Sequence, residues 1–173
     1  MNQSPQLPLQ LGNAAAAVLV LDDGHYLLQL RNNIPEIWYP DHWGLFGGEV
    51  EPGEDEIATL RRELHEEIRL DLEIEHTRLF ARFEFDLRPV GLERYFRAYY
   101  EVRVSKAILP HLKLCEGAAM QAFSGDNALR LRLSPYDGFA LLLHYQQAQD
   151  GLRYAKSAAE IPAALQYTPC TAS

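Results

Sequence analysis

The segment Gly48 to Leu70 decides more about this chain than any other stretch of it. It reads Gly-Glu-Val-Glu-Pro-Gly-Glu-Asp-Glu-Ile-Ala-Thr-Leu-Arg-Arg-Glu-Leu-His-Glu-Glu-Ile-Arg-Leu, a turn at Pro52-Gly53 followed by a helical pattern. Ile57, Leu60, Leu64 and Ile68 recur at spacings of three and four and so make one apolar stripe. The acidic Glu54, Asp55 and Glu56 suit the positive end of a helix that starts there. At about 100° per residue, Glu63, Glu66 and Glu67 gather roughly 110° from the centre of the stripe. Three carboxylates at the edge of a buried face repel one another unless a cation offsets them. An oxygen-only cluster of this kind suits Mg²⁺ or Mn²⁺, hard cations that keep waters free for substrate phosphates. Taken alone, the spacing also fits a solvated acidic helix face.

Length and charge bound the alternatives. A chain of 173 residues, 47% apolar, predicts one domain over 1–173, with an N-terminal extension (1–12) and a tail (150–173) at its margins. A formal charge of −8 argues against a nucleic acid polymer as partner, since binding a polyanion relies on clustered Lys and Arg. A small phosphorylated substrate is still compatible, with a metal supplying positive charge locally. Cys115 and Cys170 are too few for a disulfide framework and lack zinc-ligand spacing. The first apolar stretch, Ala14 to Leu21, is too short to span a membrane and has no Lys or Arg before it. A cytoplasmic protein without a membrane partner is expected.

Outside the acidic segment, strands outnumber helices. Ala14 to Leu21 reads as a buried strand that turns at Asp22-Asp23-Gly24 into a second arm, His25 to Leu30. Arg31 to Trp43, with Pro35 and Pro40, reads as loop. Between Leu70 and Glu101 the residues alternate, with Leu79, Ala81, Phe83, Phe85 and Leu87 on one face and a turn at Pro89-Val90-Gly91. Leu112 to Phe123 reads as a strand broken at Glu116-Gly117, and a last helix is expected from Tyr136 to about Gln149 after Ser134-Pro135. The six His residues show no ligand spacing and are read mostly as surface or loop.

The segment Gly48 to Leu70 resembles the Nudix box. From Gly48 the pattern runs to Glu54, then to Arg62-Glu63-Leu64-His65-Glu66-Glu67, all in register, with Leu70 apolar at its end. Only the final Gly differs: position 69 is Arg. That position carries geometry, a left-handed helix cap, and a non-Gly residue there costs about 1 kcal/mol. Upstream, Trp43-Gly44-Leu45-Phe46-Gly47-Gly48 looks like the strand that enters the box, with Phe46 where the family often has Pro.

The resemblance implies an α+β protein, an α/β/α sandwich of Nudix fold with a mixed central sheet and a catalytic loop-helix-loop. It implies a Mg²⁺-dependent pyrophosphohydrolase, with Mn²⁺ as a possible substitute, acting on a nucleoside diphosphate linked to another group. Glu63, Glu66 and Glu67 become metal ligands, the Gly47 carbonyl a further oxygen ligand, and Glu116 a completing carboxylate from a later loop. Glu63 or such a later carboxylate serves as general base. Arg62 holds the glutamates in position, and Glu54 braces the loop. Arg31 is a candidate for a substrate phosphate and Trp43 for stacking on a base.

At Glu84-Phe85 and Asp86-Leu87 the chain lacks the Pro and Tyr marks of the ADP-ribose and dinucleoside polyphosphate branches, and so looks more like the nucleoside triphosphate-cleaning branch. The isomerase branch needs a Cys upstream of the box, and there is none. A Nudix module that senses a nucleotide or nucleotide sugar without cutting it is the alternative; such modules usually lose box carboxylates, and here all are kept.

Overall fold

The computed structural model describes residues 12–160, and 152–160 by backbone alone. Residues 1–11 of the extension and 161–173 of the tail, with Cys170, lie outside it. At the centre is β1 (Ala14–Leu21), buried along its whole length. Its residues serve two cores alternately, as a strand's two-residue period requires. Ala15, Ala17 and Leu19 face one core, and Ala16, Val18 and Val20 face the other. Small alanines let flanking strands and helices approach β1 closely from both sides.

Around β1 the sheet is mixed, as the resemblance implied. β2 (Tyr26–Leu30) and β4 (Phe46–Glu49) run antiparallel to it along one edge, and β6 (Arg94–Val104) runs parallel along the other. β5 (Thr77–Asp86) adds antiparallel to β6, while β3 (Trp43–Gly44) and β7 (Ala119–Phe123) both pair with β2. On one face lies α1 (Glu56–Ile68), which packs Leu60, Leu64 and Ile68 against β1, Leu27 and Phe46. On the other lies α3 (Pro135–Glu160), which packs Ala140 and Leu141 against Tyr26, Leu28, Leu45 and Tyr99. A single helical turn, α2 (Gly125–Ala128), joins β7 to the α3 region. The result is the expected α/β/α sandwich.

Four expectations need correction. The β5 strand begins at Thr77, after a 3-10 turn at Ile74–His76, and an irregularity between Leu79 and Ala81 shifts its register. Past that bulge Ala81, Phe83 and Phe85 share a face, but Leu79 is half exposed and Phe80 packs its ring against His144. Leu112 to Gly117 is not strand. Its amides are taken by the end of α1, with Lys113 N–H donating to the Ile68 carbonyl at 3.1 Å and Cys115 N–H to the Glu67 carbonyl at 2.7 Å. The last helix runs on past Gln149 to Glu160, through an Ala-rich stretch of good helix formers. Of the histidines read mostly as surface or loop, His144 is buried.

Both ends of α1 follow from its sequence. Asp55 caps the first turn, its side chain accepting from Ala58 N–H at 2.7 Å. At the other end Arg69 stands at φ 56°, ψ 34°, the left-handed conformation that the missing glycine would adopt freely. Its N–H donates to the His65 carbonyl and that of Leu70 to the Leu64 carbonyl, closing the cap. The Arg69 guanidinium also donates to the His65 carbonyl at 3.3 Å. Arg69→Gly is therefore expected to raise stability by about 0.5 to 1 kcal/mol, less what this contact and the helix dipole return. Urea unfolding of the variant measures it; a clear loss of stability would contradict the account.

His144 bridges α3 to the sheet. Its Nε2–H donates to the Glu101 carboxylate at 3.0 Å, so Nδ1 accepts from the Tyr26 hydroxyl, also at 3.0 Å. Burial keeps His144 below its ordinary pKa of 6.5, whereas hydrogen bonds from Arg78, His144 and Arg103 outweigh burial and hold Glu101 at about 2. Below pH 6.5 the unfolded chain takes up a proton at His144 that the folded state resists, so stability falls with pH from there. Between 4.5 and about 2 Glu101 adds a second loss, because the folded carboxylate resists the proton that the unfolded one accepts. Unfolding curves from pH 7 to 5 should show the first decline, and His144→Asn should flatten it.

Candidate functional site

Arg62 is the hub of the acidic segment. Its Nε donates to Glu54 Oε1 at 2.8 Å and Nη2 to Glu54 Oε2 at 3.0 Å, a two-pronged pair. Nη2 also reaches the Glu49 carbonyl, and Nη1 donates to Glu63 at 2.7 Å and to Glu66 at 3.3 Å. One guanidinium thus ties the loop before α1 to two of its glutamates. Glu54 accepts as well from the Thr59 hydroxyl and the Glu51 N–H, and the Arg62 hydrogen bonds pull its carboxyl down to about 2. Arg62 thus lies between the loop carboxylate of Glu54 and the helix carboxylates of Glu63 and Glu66.

Glu67 is held quite differently. It is buried, and its two oxygens accept from neutral donors on the sheet: Gln29 Nε2 at 2.8 Å and Gly47 N–H at 2.9 Å. Burial pushes its carboxyl up to about 8, and the charges of Glu63 and Glu116 push in the same direction against those two hydrogen bonds. Glu63 is also raised, chiefly by burial and despite Arg62. Glu66 is exposed.

Two glycines allow this crowding. At Gly47, with φ 132°, a Cβ would collide with the Ala15 carbonyl across the β1–β4 pair. At Gly48 a Cβ would collide with the Glu63 carboxylate, which lies over the strand.

Glu116 reaches the same place through its backbone. The Cys115 and Glu116 amides both point to the Glu67 carbonyl, at 2.7 and 3.4 Å, and the Glu116 charge acts on both Glu63 and Glu67. Arg62, Glu63, Glu66, Glu67, Gly47 and Glu116 are therefore brought together. Arg31 and Trp43 are not. The Arg31 Nε donates to the Trp38 carbonyl at 2.9 Å, and its charge is felt at Tyr136 and Asp137. The Trp43 ring packs edge-on against Phe123 in the core on the α3 side.

By its chemistry the donor set fits a hard divalent cation: carboxylates, all oxygen, two of which, Glu63 and Glu67, are pushed up by burial and would be drawn back to the charged form by a bound cation. Among the described residues no three acidic, His or Cys side chains stand close enough to enclose an ion, and Arg62 occupies an oxygen of Glu63 and of Glu66. Open grooves of about 410 and 570 Å³ border the Arg62–Glu54 clamp. The larger is lined by Arg61, Arg62, His65 and Glu66, the smaller by Glu54, Glu56, Phe96 and Tyr100.

Two buried polar residues escaped the sequence reading. Gln29 is the one non-apolar residue besides Tyr26 in β2, and that isolation was its only signal. Asp137 lies in the first turn of α3, an ordinary place for an acid, and so carried no sequence signal of its own. It is buried, accepts at one oxygen from the Ser134 hydroxyl and the Leu45 N–H, and has Arg97 Nη2 3.7 Å from the other. Burial raises its pKa.

Comparison with known proteins places the box in context. The family model of the NUDIX domain matches residues 11–137. No curated protein matches the chain. Among solved structures, a MutT NUDIX hydrolase from Burkholderia pseudomallei is 24% identical with a TM-score of 0.57, covering 76% of this chain and 96% of its own. An Ap4A hydrolase from C. elegans, solved as a binary complex, is 20% identical with a TM-score of 0.58, covering 82% and 99%. The NUDIX domain of Shewanella oneidensis NrtR, complexed with ADP ribose, is 20% identical with a TM-score of 0.59, covering 87% and 94%. At these identities the likeness to the three structures is one of fold.

Proposed function

The chain belongs to the Nudix family, hydrolases of phosphoric anhydride bonds, and from that premise we propose that it is a Mg²⁺-dependent pyrophosphohydrolase preferring a nucleoside triphosphate-type substrate. One observation carries this reading: every box carboxylate is kept, and Arg62 and the sheet gather them at one end of α1. A sensor that never cuts has no need of that cluster, whose repulsion costs stability.

Glu63, Glu66 and Glu67, with the Gly47 carbonyl and Glu116, would hold the cation. When bound, it neutralises the charge that develops on phosphate oxygens and lowers the pKa of the attacking water. Arg62 keeps Glu63 and Glu66 turned inward, and Glu54 keeps Arg62 in place. Glu63 or Glu116 takes the proton of the attacking water. Arg61, exposed in the larger groove beside Glu66, is available to a substrate phosphate. In this reading Arg31 and Trp43 face the far end of the substrate, since neither reaches the glutamates.

A product screen tests the proposal. The purified chain with Mg²⁺ is given nucleoside triphosphates, dinucleoside polyphosphates and nucleotide sugars, and the products are separated. The expected result is a nucleoside monophosphate and pyrophosphate from a triphosphate. Tight binding of one compound with no product would favour the sensor, and preferred cleavage of a nucleotide sugar would move the substrate class.

A further inference from the structure

A buried amide needs a reason. Gln29 sits in β2 between Leu28 and Leu30, is 3% exposed, and lies on a strand paired on both sides, with Gly44 and Met120. An amide buried there without partners would be strongly unfavourable, so its contacts say why it is tolerated. The Nε2 group donates one hydrogen to the Leu45 carbonyl at 3.1 Å and the other to Glu67 Oε1 at 2.8 Å. A carbonyl can only accept, so the Leu45 contact fixes which end of the amide faces Glu67. Leu45 is in turn anchored, because its N–H donates to the buried Asp137 at 3.2 Å. Asp137, Leu45, Gln29 and Glu67 make one chain of contacts, from the first turn of α3 through the sheet to α1.

We infer that Gln29 is a positioning residue for Glu67, orienting its carboxylate from the sheet side as Arg62 orients Glu63 and Glu66 from the loop side. The choice of amide matters. An Arg or Lys at this place would neutralise Glu67 and compete with a cation for it. A neutral donor fixes the carboxylate plane and leaves its negative charge unclaimed. The inference rests on the hydrolase reading for its effect on turnover, and on geometry alone for its effect on ion binding.

Residues that orient a ligand from behind typically change metal affinity or activity by about 10- to 100-fold when lost. The test is Gln29→Met, which keeps length and apolar bulk and removes both donors. Mn²⁺ binding is titrated by the paramagnetic resonance of the free ion, on wild type, Gln29→Met, Glu67→Gln and the double variant. Steady-state kinetics follow on the same four proteins.

We expect Gln29→Met to weaken Mn²⁺ binding by about 10- to 100-fold. It should lower kcat by a similar factor while KM stays within about threefold, because the side chain touches Glu67 and no substrate. In the Glu67→Gln background the second change should add nothing further. Unaltered Mn²⁺ affinity in Gln29→Met, or losses that multiply in the double variant, would overturn the assignment. If wild type turns over no substrate, the hydrolase reading fails, and the Mn²⁺ titration still judges Gln29. Should Gln29→Met fail to fold, Gln29→Asn keeps an amide but draws it back by a methylene, and the same outcomes apply.

Discussion

Glu67→Gln is expected to lower turnover by a hundredfold or more, on the order of 3 kcal/mol in the barrier. The substitution keeps the shape of the side chain and removes its charge. In the fold Glu67 is buried, and burial, with the charges of Glu63 and Glu116 adding to it, pushes its carboxyl up to about 8. The charged form that burial disfavours in the ion-free protein is the form a divalent cation would draw out. Folding should survive the change. A Gln sets an NH₂ against one of the two donors, Gln29 Nε2 or Gly47 N–H, but no longer has a carboxylate to bury. Kinetics and an unfolding curve on one preparation give both answers. Near-normal turnover would reduce Glu67 to a structural residue.

Removing divalent cations is the second large effect. With Glu63 and Glu67 both pushed up by burial, and with Glu66 and Glu116 adding like charge around them, the cluster holds no cation of its own except Arg62. Chelation should abolish hydrolysis; Mg²⁺ should restore it fully and Mn²⁺ at least in part, since both are hard ions suited to oxygen donors. Full activity in excess chelator would leave only arginines at the phosphates and would refute the mechanism.

What could be read from the sequence, and what could not, divides along a physical line. Arg62, Glu63, Glu66 and Glu67 were legible because a helix fixes their relative places within two turns. Arg69 was legible for the same reason: a helix that ends at Ile68 leaves one residue to turn left-handed, and Arg69 does, at φ 56°. The buried stretch Ala14–Leu21 announced itself by being apolar throughout.

Gln29 and Asp137 were not legible, because their roles exist only in tertiary contact. Gln29 is 38 residues from Glu67, and Asp137 is 92 from Leu45. Alternation alone also missed the bulge near Phe80, since one extra residue reverses every later face. Leu112 to Gly117 looked like strand because its apolar residues alternate, yet its amides are spent on the last carbonyls of α1. That loop is what brings Glu116 toward Glu63 and Glu67.

In the proposed reaction, water activated at the glutamate end of α1 attacks phosphorus in an anhydride. Turnover of a nucleoside triphosphate in oxygen-labelled water, with Mg²⁺, tests it most directly, with wild type and Glu67→Gln side by side. The account predicts one labelled oxygen in a phosphate-bearing product of the wild-type reaction, and almost no product from the variant. Product from both proteins at equal rates, or product from wild type that carries no label, would contradict it.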